Sequence, residues 1–407
     1  MNVLIYDPIH TGHHLNWVRL LIQGCQPYAS NITFATTANA VSSIQFDQHL
    51  SPLAGKFKLD HKVEPIVTGP DRRFDGLRIA RRGWNGLREA VQRNKPDHVF
   101  VSFADALLRA PLTMSPKSLN LGISPANVEG IIFEAPYGFR RELPWKHQLR
   151  MFSELAGLGL LPFGRLMLLA PLALSWLDRH APSIARRCEP ITDAIKATSY
   201  SKAAARKALS LPADGRMVGC IGVLDSRKGV DEFVDSFAAS PLRSNDRLLL
   251  AGKASDEVLA AVARARETIN PDSIILINHT LTQEQMDLAL SAVDLVSVTY
   301  RFPQHVGMSS MLIRAVLAGR PVLSMPQGWP GYITRQLSLG WIYPEDAHGR
   351  LASIARSLDD SENFQHTSDA ITFAASHSEE NAIRVCTKNL RSRKRLQDHC
   401  QAMATAA

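Results

Sequence analysis

Arg227-Lys228-Gly229 closely follows an apolar, β-rich run from Met217 to Val223. A cation just beyond a strand can meet an anion there, and preorganised charge in a water-poor site stabilises a departing phosphate. Farther along, Gly307, Ser309 and Ser310 precede a helical pattern. Backbone amides at a helix N-terminus cradle phosphate, and small residues let it come close. Together the two segments suit a diphosphate. Each also has a plainer explanation: an exposed basic turn for the first, a serine N-cap for the second.

The first half offers other chemistry. Gly12 stands among His10, His13 and His14 just before a helical segment. Polar groups at a glycine turn suit phosphate or sugar hydroxyls; histidines that cap a helix are the alternative. A metal is not expected, since histidine spacing alone is a poor predictor of one. Asp105 follows an apolar run beginning at His98 and could act as a general base toward an acceptor hydroxyl, or simply cap a helix. Glu134 is a weaker candidate for the same role.

The elements that must position these residues alternate. Strands are expected at Val3–Tyr6, Asn31–Ala35 and His98–Phe103, with a helix over Leu15–Ile22. A second series follows: strands at Met217–Val223, Leu248–Ala251, Ile274–Ile277, Leu295–Thr299 and Pro321–Ser324. Helices are expected at Lys202–Leu209, Val230–Phe237, Thr282–Ala292 and Ser309–Ala318, and a long basic helix at Ser378–Gln401. Strands alternating with helices imply crossover connections and parallel sheets. Residues 107–177 do not parse. The expected organisation is an acceptor-side domain over 1–195, a nucleotide-binding domain over 196–376, and a C-terminal helix and tail over 377–407. Ligands in such sheets bind beyond the carboxyl ends of the strands, which gathers the loops after Tyr6, Val223, Ala251 and Tyr300 around a shared cleft.

Composition narrows the classes. The 407 residues suffice for two domains. With 45% apolar and 21% charged residues the chain has the balance of a soluble globular protein. A net charge of +8 favours anionic partners, but no aromatic-and-basic module points to nucleic acid. The five cysteines are scattered and odd in number, which fits a reducing, cytoplasmic compartment. The most apolar stretch, Leu158 to Leu177, is broken by Pro162, Gly164, Arg165 and Pro171, against a membrane span. Asp71 to Arg93 is basic and amphipathic. It fits a helix packed on its own sheet, with peripheral contact at an anionic inner membrane face as the alternative.

The segment Leu281 to Ile333 resembles the donor-site core of glycosyltransferase family 4. Asp294, Gly307, Ala315, Gly319, Pro321 and Val322 fit that frame. Cys220–Phe237 resembles the family's glycine–lysine loop, Leu248–Ala254 the strand and glycine after it, and the segment around Gly12 and His13 the loop that opens the acceptor domain. The resemblance implies an α/β, GT-B fold of two facing Rossmann-like domains. It also implies retaining transfer of a sugar from a UDP- or GDP-sugar, taken as substrate with no further cofactor, to a glycan or lipid-linked acceptor. On that frame Lys228 contacts the diphosphate and Arg227 stands in for an arginine whose position is Val223. Gly222, Gly252, Gly307, Ser309 and Ser310 border the donor. Two glutamates usual in the family fall at Val306 and Arg314. A guanidinium only donates, so Arg314 cannot accept from ribose hydroxyls but could bind a phosphate or an acidic sugar instead; Gln304 and His305, beside the gap, could supply polar contacts to the donor in its place. A weak or silent sugar-nucleotide-binding protein of the same fold is the alternative, and a ligand-free scaffold is a third.

Overall fold

The computed structural model describes residues 1–9, 14–66, 75–303 and 306–395. The chain divides into two compact units. One runs from Met1 to Ala194 and takes in the segment after Ser378; the other is the uninterrupted stretch Ile195–Ser378.

The first unit holds strands β1 (Asn2–Tyr6), β2 (Asn31–Thr37), β3 (Lys58–Val63), β4 (His98–Val101), β5 (Val128–Ile132), β6 (Arg165–Leu168) and β7 (Cys188–Pro190). They form one sheet, ordered β3-β2-β1-β4-β5-β6-β7, with every pair parallel. β4, β5 and β6 are buried along their whole length, as strands covered on both faces must be. The helix His14–Cys25 returns the chain from β1 to β2 and buries Trp17, Leu20, Leu21 and Ile22.

The basic amphipathic stretch forms the helix Asp75–Asn94. Trp84, Leu87 and Val91 are buried, and the Tyr6 hydroxyl donates to the Gly83 carbonyl at 2.7 Å. Its apolar face is spent on the protein's own sheet. The apolar stretch from Leu158 to Leu177 resolves into the end of a helix (Trp145–Leu160), β6, and part of a second helix (Pro171–His180). No helix among the described residues is long and apolar enough to cross a membrane. The basic C-terminal segment is helical over Glu379–Cys386 and again over 388–395, with the Thr387 amide donating to the Ile383 carbonyl at 3.0 Å between them; the rest of the expected helix lies outside the described residues.

The second unit holds β8 (Met217–Ile221), β9 (Arg247–Ala251), β10 (Ile274–Ile277), β11 (Leu295–Val298), β12 (Val322–Ser324) and β13 (Gly340–Ile342). Their order is β10-β9-β8-β11-β12-β13, again all parallel. Phe233 and Phe237, from the helix Val230–Ala239, are fully buried against Val218, Leu248 and Leu250. Each such side chain contributes about 1.5–3 kcal/mol of burial. The helix Gln283–Ala292 starts where the sequence indicates: the Thr282 hydroxyl accepts from the Gln285 amide, and the Gln285 side chain accepts from the Thr282 amide. Asp294 anchors the start of β11, accepting from Lys202 Nζ at 2.6 Å, Arg206 Nη2 at 2.9 Å and the Met217 amide at 2.8 Å.

Both sheets reverse direction of growth once, the first between β1 and β4 and the second between β8 and β11. Ligands of doubly wound sheets bind outside the carboxyl ends of the strands at such a reversal.

Candidate functional site

In the second unit the reversal lies beyond Ile221 and Val298. The chain leaves β8 through Gly222 and makes a one-turn helix, Ser226–Lys228, capped by Asp225, whose carboxylate accepts from the Lys228 amide at 2.9 Å. Gly229 then takes a left-handed conformation (φ +67°), and a Cβ there would lie 2.3 Å from the Thr299 carbonyl oxygen. Only glycine fits, so the turn delivering Lys228 is locked against the end of β11. Gly252 is constrained in the same way: at φ +144°, its Cβ would lie 1.7 Å from the Gly222 carbonyl oxygen. The two glycines let the ends of β8 and β9 run side by side, where Gly222 N donates to Ala251 O at 2.9 Å.

Lys228 lies with its ammonium 5.8 Å above the Tyr300 ring. The Tyr300 hydroxyl is 2.9 Å from Ser309 Oγ, and Ser309 caps the helix Ser310–Leu317 by accepting from the Leu312 amide. Tyr300 therefore bridges the two segments singled out for a diphosphate. Lys228, Tyr300 and Met311 line one small pocket with Cys220, Val223 and Ser297. Among the described residues no carboxylate comes within ion-pair distance of the Lys228 ammonium. Burial, and then the neighbouring Arg227, depress its pKa to about 8. A cation held under such conditions favours an incoming anion.

Ser309 thus serves as an N-cap that satisfies the Leu312 amide, and the amides of Ser310 and Met311 have no partner within the helix. Gly307 lies half-buried just ahead of it, and Ser310 is the first helical residue. Arg227 is exposed, 3.5 Å from Asp225 Oδ2, and its charge reaches both Lys228 and Tyr300. Arg314 is also partly committed. It donates to the Lys196 carbonyl at 3.1 Å and lies 3.5 Å from Asp287 Oδ1, a carboxylate that also accepts from Gln283 and the Thr198 amide. Val306 is buried. His305 and Gln304 lie outside the described residues, as do Gly12, His13 and His10.

In the first unit the reversal gathers a second polar group. Asp7, fully buried just after β1, accepts from Ser102 Oγ at 2.6 Å and the Ile9 amide at 2.9 Å, and lies 3.1 Å from His14 Nδ1. The His14 ring packs edge-on against Phe103, with centroids 4.4 Å apart. Burial disfavours the imidazolium, but the Asp7 carboxylate outweighs it and holds the His14 pKa above its ordinary 6.5. That interaction adds stability below pH 6.5 and is lost as pH rises through the folded-state pKa. His14 is expected to titrate above 6.5 by NMR in the wild type and lower in Asp7→Asn, where burial is opposed only by the Asp105 charge. A His14 titration indifferent to Asp7→Asn would disprove the pairing.

Asp105 does not cap a helix. The short turn Ala104–Leu107 has no side-chain cap, and the Asp105 carboxylate reaches across to the segment just after β5, accepting from the amides of Phe133 at 2.9 Å and Glu134 at 2.8 Å. Burial, with the nearby Glu134 charge, pushes its pKa up to about 8 in spite of those amides. Asp7, Ser102 and Tyr300 are the participants that sequence reasoning missed. Asp7 and Tyr300 each lie one or two residues beyond a strand end, and that position was the available signal.

Among the described residues no group of three or more His, Cys, Asp or Glu is arranged to hold a metal ion. The four described cysteines, Cys25, Cys188, Cys220 and Cys386, are buried and unpaired.

Comparison with known proteins agrees with this layout. Residues 215–360 match the profile of a protein family described as Glycosyl transferases group 1. No curated protein sequence matches the chain. Among solved structures, Anabaena HepE in complex with UDP and glucose superposes with a TM-score of 0.61 at 15% identity, over 96% of this chain and 100% of that one. Sucrose-phosphate synthase from Thermosynechococcus elongatus gives 0.63 at 15% identity over 100% of both chains. WaaG, a glycosyltransferase of lipopolysaccharide biosynthesis, gives 0.58 at 14% identity over 94% and 95%. The fold is the α/β, two-sheet GT-B architecture of these structures.

Proposed function

We propose that the protein is a glycosyltransferase taking a sugar from a UDP- or GDP-sugar, with retention at the anomeric carbon, to a glycan or a lipid-linked acceptor. The observation that carries this reading is the junction at the carboxyl ends of β8 and β11. There Lys228, over the Tyr300 ring, and Ser309, bonded to the Tyr300 hydroxyl, are brought together, and among the described residues no carboxylate forms an ion pair with the lysine. As the glycosidic bond breaks, negative charge grows on the departing diphosphate. A fixed ammonium and a helix N-terminus stabilise that charge more than they stabilise the ground state. On the acceptor side, Asp105 and the Asp7–His14 pair are the groups proposed to meet an acceptor hydroxyl. The match of residues 215–360 to Glycosyl transferases group 1 and the HepE complexes with UDP support the donor class.

Arg314 favours a second reading, a sugar-nucleotide-binding protein that turns over weakly or not at all. With Val306 and Arg314 at the positions of the family's glutamates, the carboxylate expected to hold the ribose is absent. Asp287, 3.5 Å from the guanidinium, is the carboxylate present instead. Incubation with a panel of UDP- and GDP-sugars separates the readings. Release of UDP or GDP supports the transferase, and a raised melting temperature without release supports the silent binder. If no nucleotide shifts the melting temperature, both readings fail.

A further inference from the structure

The helix Trp145–Leu160 carries an apolar stripe that nothing among the described residues covers. Trp145, Leu149, Phe152 and Leu160 are 66%, 59%, 41% and 64% exposed. Their spacing of four, three and eight residues puts all four on one narrow face, because a helix repeats every 3.6 residues. The opposite face is well seated, with Met151, Glu154, Gly157 and Leu158 buried. Gly157 packs so closely that a Cβ would lie 1.6 Å from the Leu108 carbonyl oxygen. The helix is thus pinned with its apolar stripe outward. Elsewhere among the described residues the exposed large apolar side chains (Ile44, Leu59, Leu112, Val223, Tyr332 and Ile371) fall singly on different elements, which calls for no explanation.

Cations border the stripe. The Arg140 guanidinium lies 4.9 Å over the Phe152 ring and the Lys146 ammonium 5.6 Å over the Trp145 ring. Arg141, next to Arg140 in sequence, is exposed. Arg150 is offset by Glu154 and Glu134, and Glu142 is the acid within the basic run. An aromatic-aliphatic stripe edged by Arg and Lys complements a surface that is apolar inside and negatively charged at its rim.

We propose that this helix docks on a lipid bilayer with anionic headgroups, its stripe entering the boundary between headgroups and acyl chains while Arg140, Arg141 and Lys146 stay at the phosphates. Interfacial helices bind through this combination of buried apolar area and electrostatic attraction. The docking is independent of the transferase reading, since vesicle binding is measured without donor or turnover.

Co-sedimentation of the full chain with phosphatidylcholine vesicles, with and without phosphatidylglycerol, tests it. The wild type is expected to pellet with the anionic vesicles, less with the zwitterionic ones, and less in high salt. Trp145→Ser/Phe152→Ser is expected to weaken anionic-vesicle binding at least about tenfold, with an unchanged melting temperature because both side chains face solvent. Leu149→Gln alone should show a smaller loss and carries the test if the double variant does not fold. Arg140→Gln/Arg141→Gln/Lys146→Gln should erase the preference for anionic vesicles. A wild type that ignores both vesicles, or a folded Trp145→Ser/Phe152→Ser that binds as tightly, overturns the proposal. So does a wild-type dimer in sedimentation velocity that this double variant dissolves, which would make a second copy the occupant of the stripe.

Discussion

Lys228→Ala is expected to lower turnover of the nucleotide-sugar donor by roughly 10²–10³-fold, the usual cost of removing one preorganised group from a site of developing negative charge. Fold and melting temperature should hold, because the turn that carries Lys228 is fixed by backbone contacts: the Asp225 cap and the fit of Gly229 against Thr299. The same residue predicts a pH dependence. Burial and Arg227 set its pKa near 8, so the ammonium is lost above that value in the free protein. The dependence of kcat/KM on pH should therefore show an alkaline limb near 8. Lys228→Arg keeps the charge at all accessible pH and should move or remove that limb. Wild-type rates in Lys228→Ala would take the residue out of the mechanism, and an unshifted limb in Lys228→Arg would assign the limb to another group.

The largest stability effect is expected in the first unit. Glu129, in the middle strands of the sheet and fully buried, accepts from Arg165 Nη1 at 2.7 Å and Asn389 Nδ2 at 2.9 Å, and lies 3.1 Å from His98 Nε2. Arg165 also donates to the Val385 and Cys386 carbonyls at 2.7 Å and 3.4 Å, and to Glu189 at 3.0 Å. Arg165→Met should destabilise the protein by about 3–5 kcal/mol, since removing one partner strands a buried charge. Denaturant titration measures this. Burial alone would raise the Glu129 pKa, but His98 and Arg165 hold it below the ordinary 4.5. Its stabilisation is thus present above pH 4.5 and lost as pH falls through the folded-state pKa. The gap between wild type and Arg165→Met should narrow under acid conditions. A gap that stays the same from neutral to acid pH would mean that the ion pair is not its source.

The same residues show why part of the first half could not be read from sequence. β5 reads Val-Glu-Gly-Ile-Ile and β6 Arg-Leu-Met-Leu, so each interrupts its apolar run with a charge. A buried charge makes sense only with its partner, and Glu129 and Arg165 are 36 positions apart. β3 failed differently: as an edge strand it is largely exposed, and Lys58–Val63 shows no apolar alternation. The second unit was legible because its strands are short apolar runs closed by glycine or by a capped helix. Lys228, Gly222 and Ser309 could be picked out by position after a strand or before a helix. Tyr300 and Asp7 share that position, but a tyrosine and an aspartate beyond strand ends acquire a role only once Ser309, Ser102 and His14 are seen beside them.

The path of the chain through the first unit bears on how the protein is made. Its sheet is synthesised early, yet the carbonyls that satisfy Arg165 and the amide that completes the set around Glu129 come from Val385, Cys386 and Asn389. Domains usually fold in the order in which they leave the ribosome. Here the later-made stretch, Ile195–Ser378, is self-contained and can finish first. The earlier one must wait on the ribosome, its polar centre incompletely paired, until the closing helix emerges to complete it.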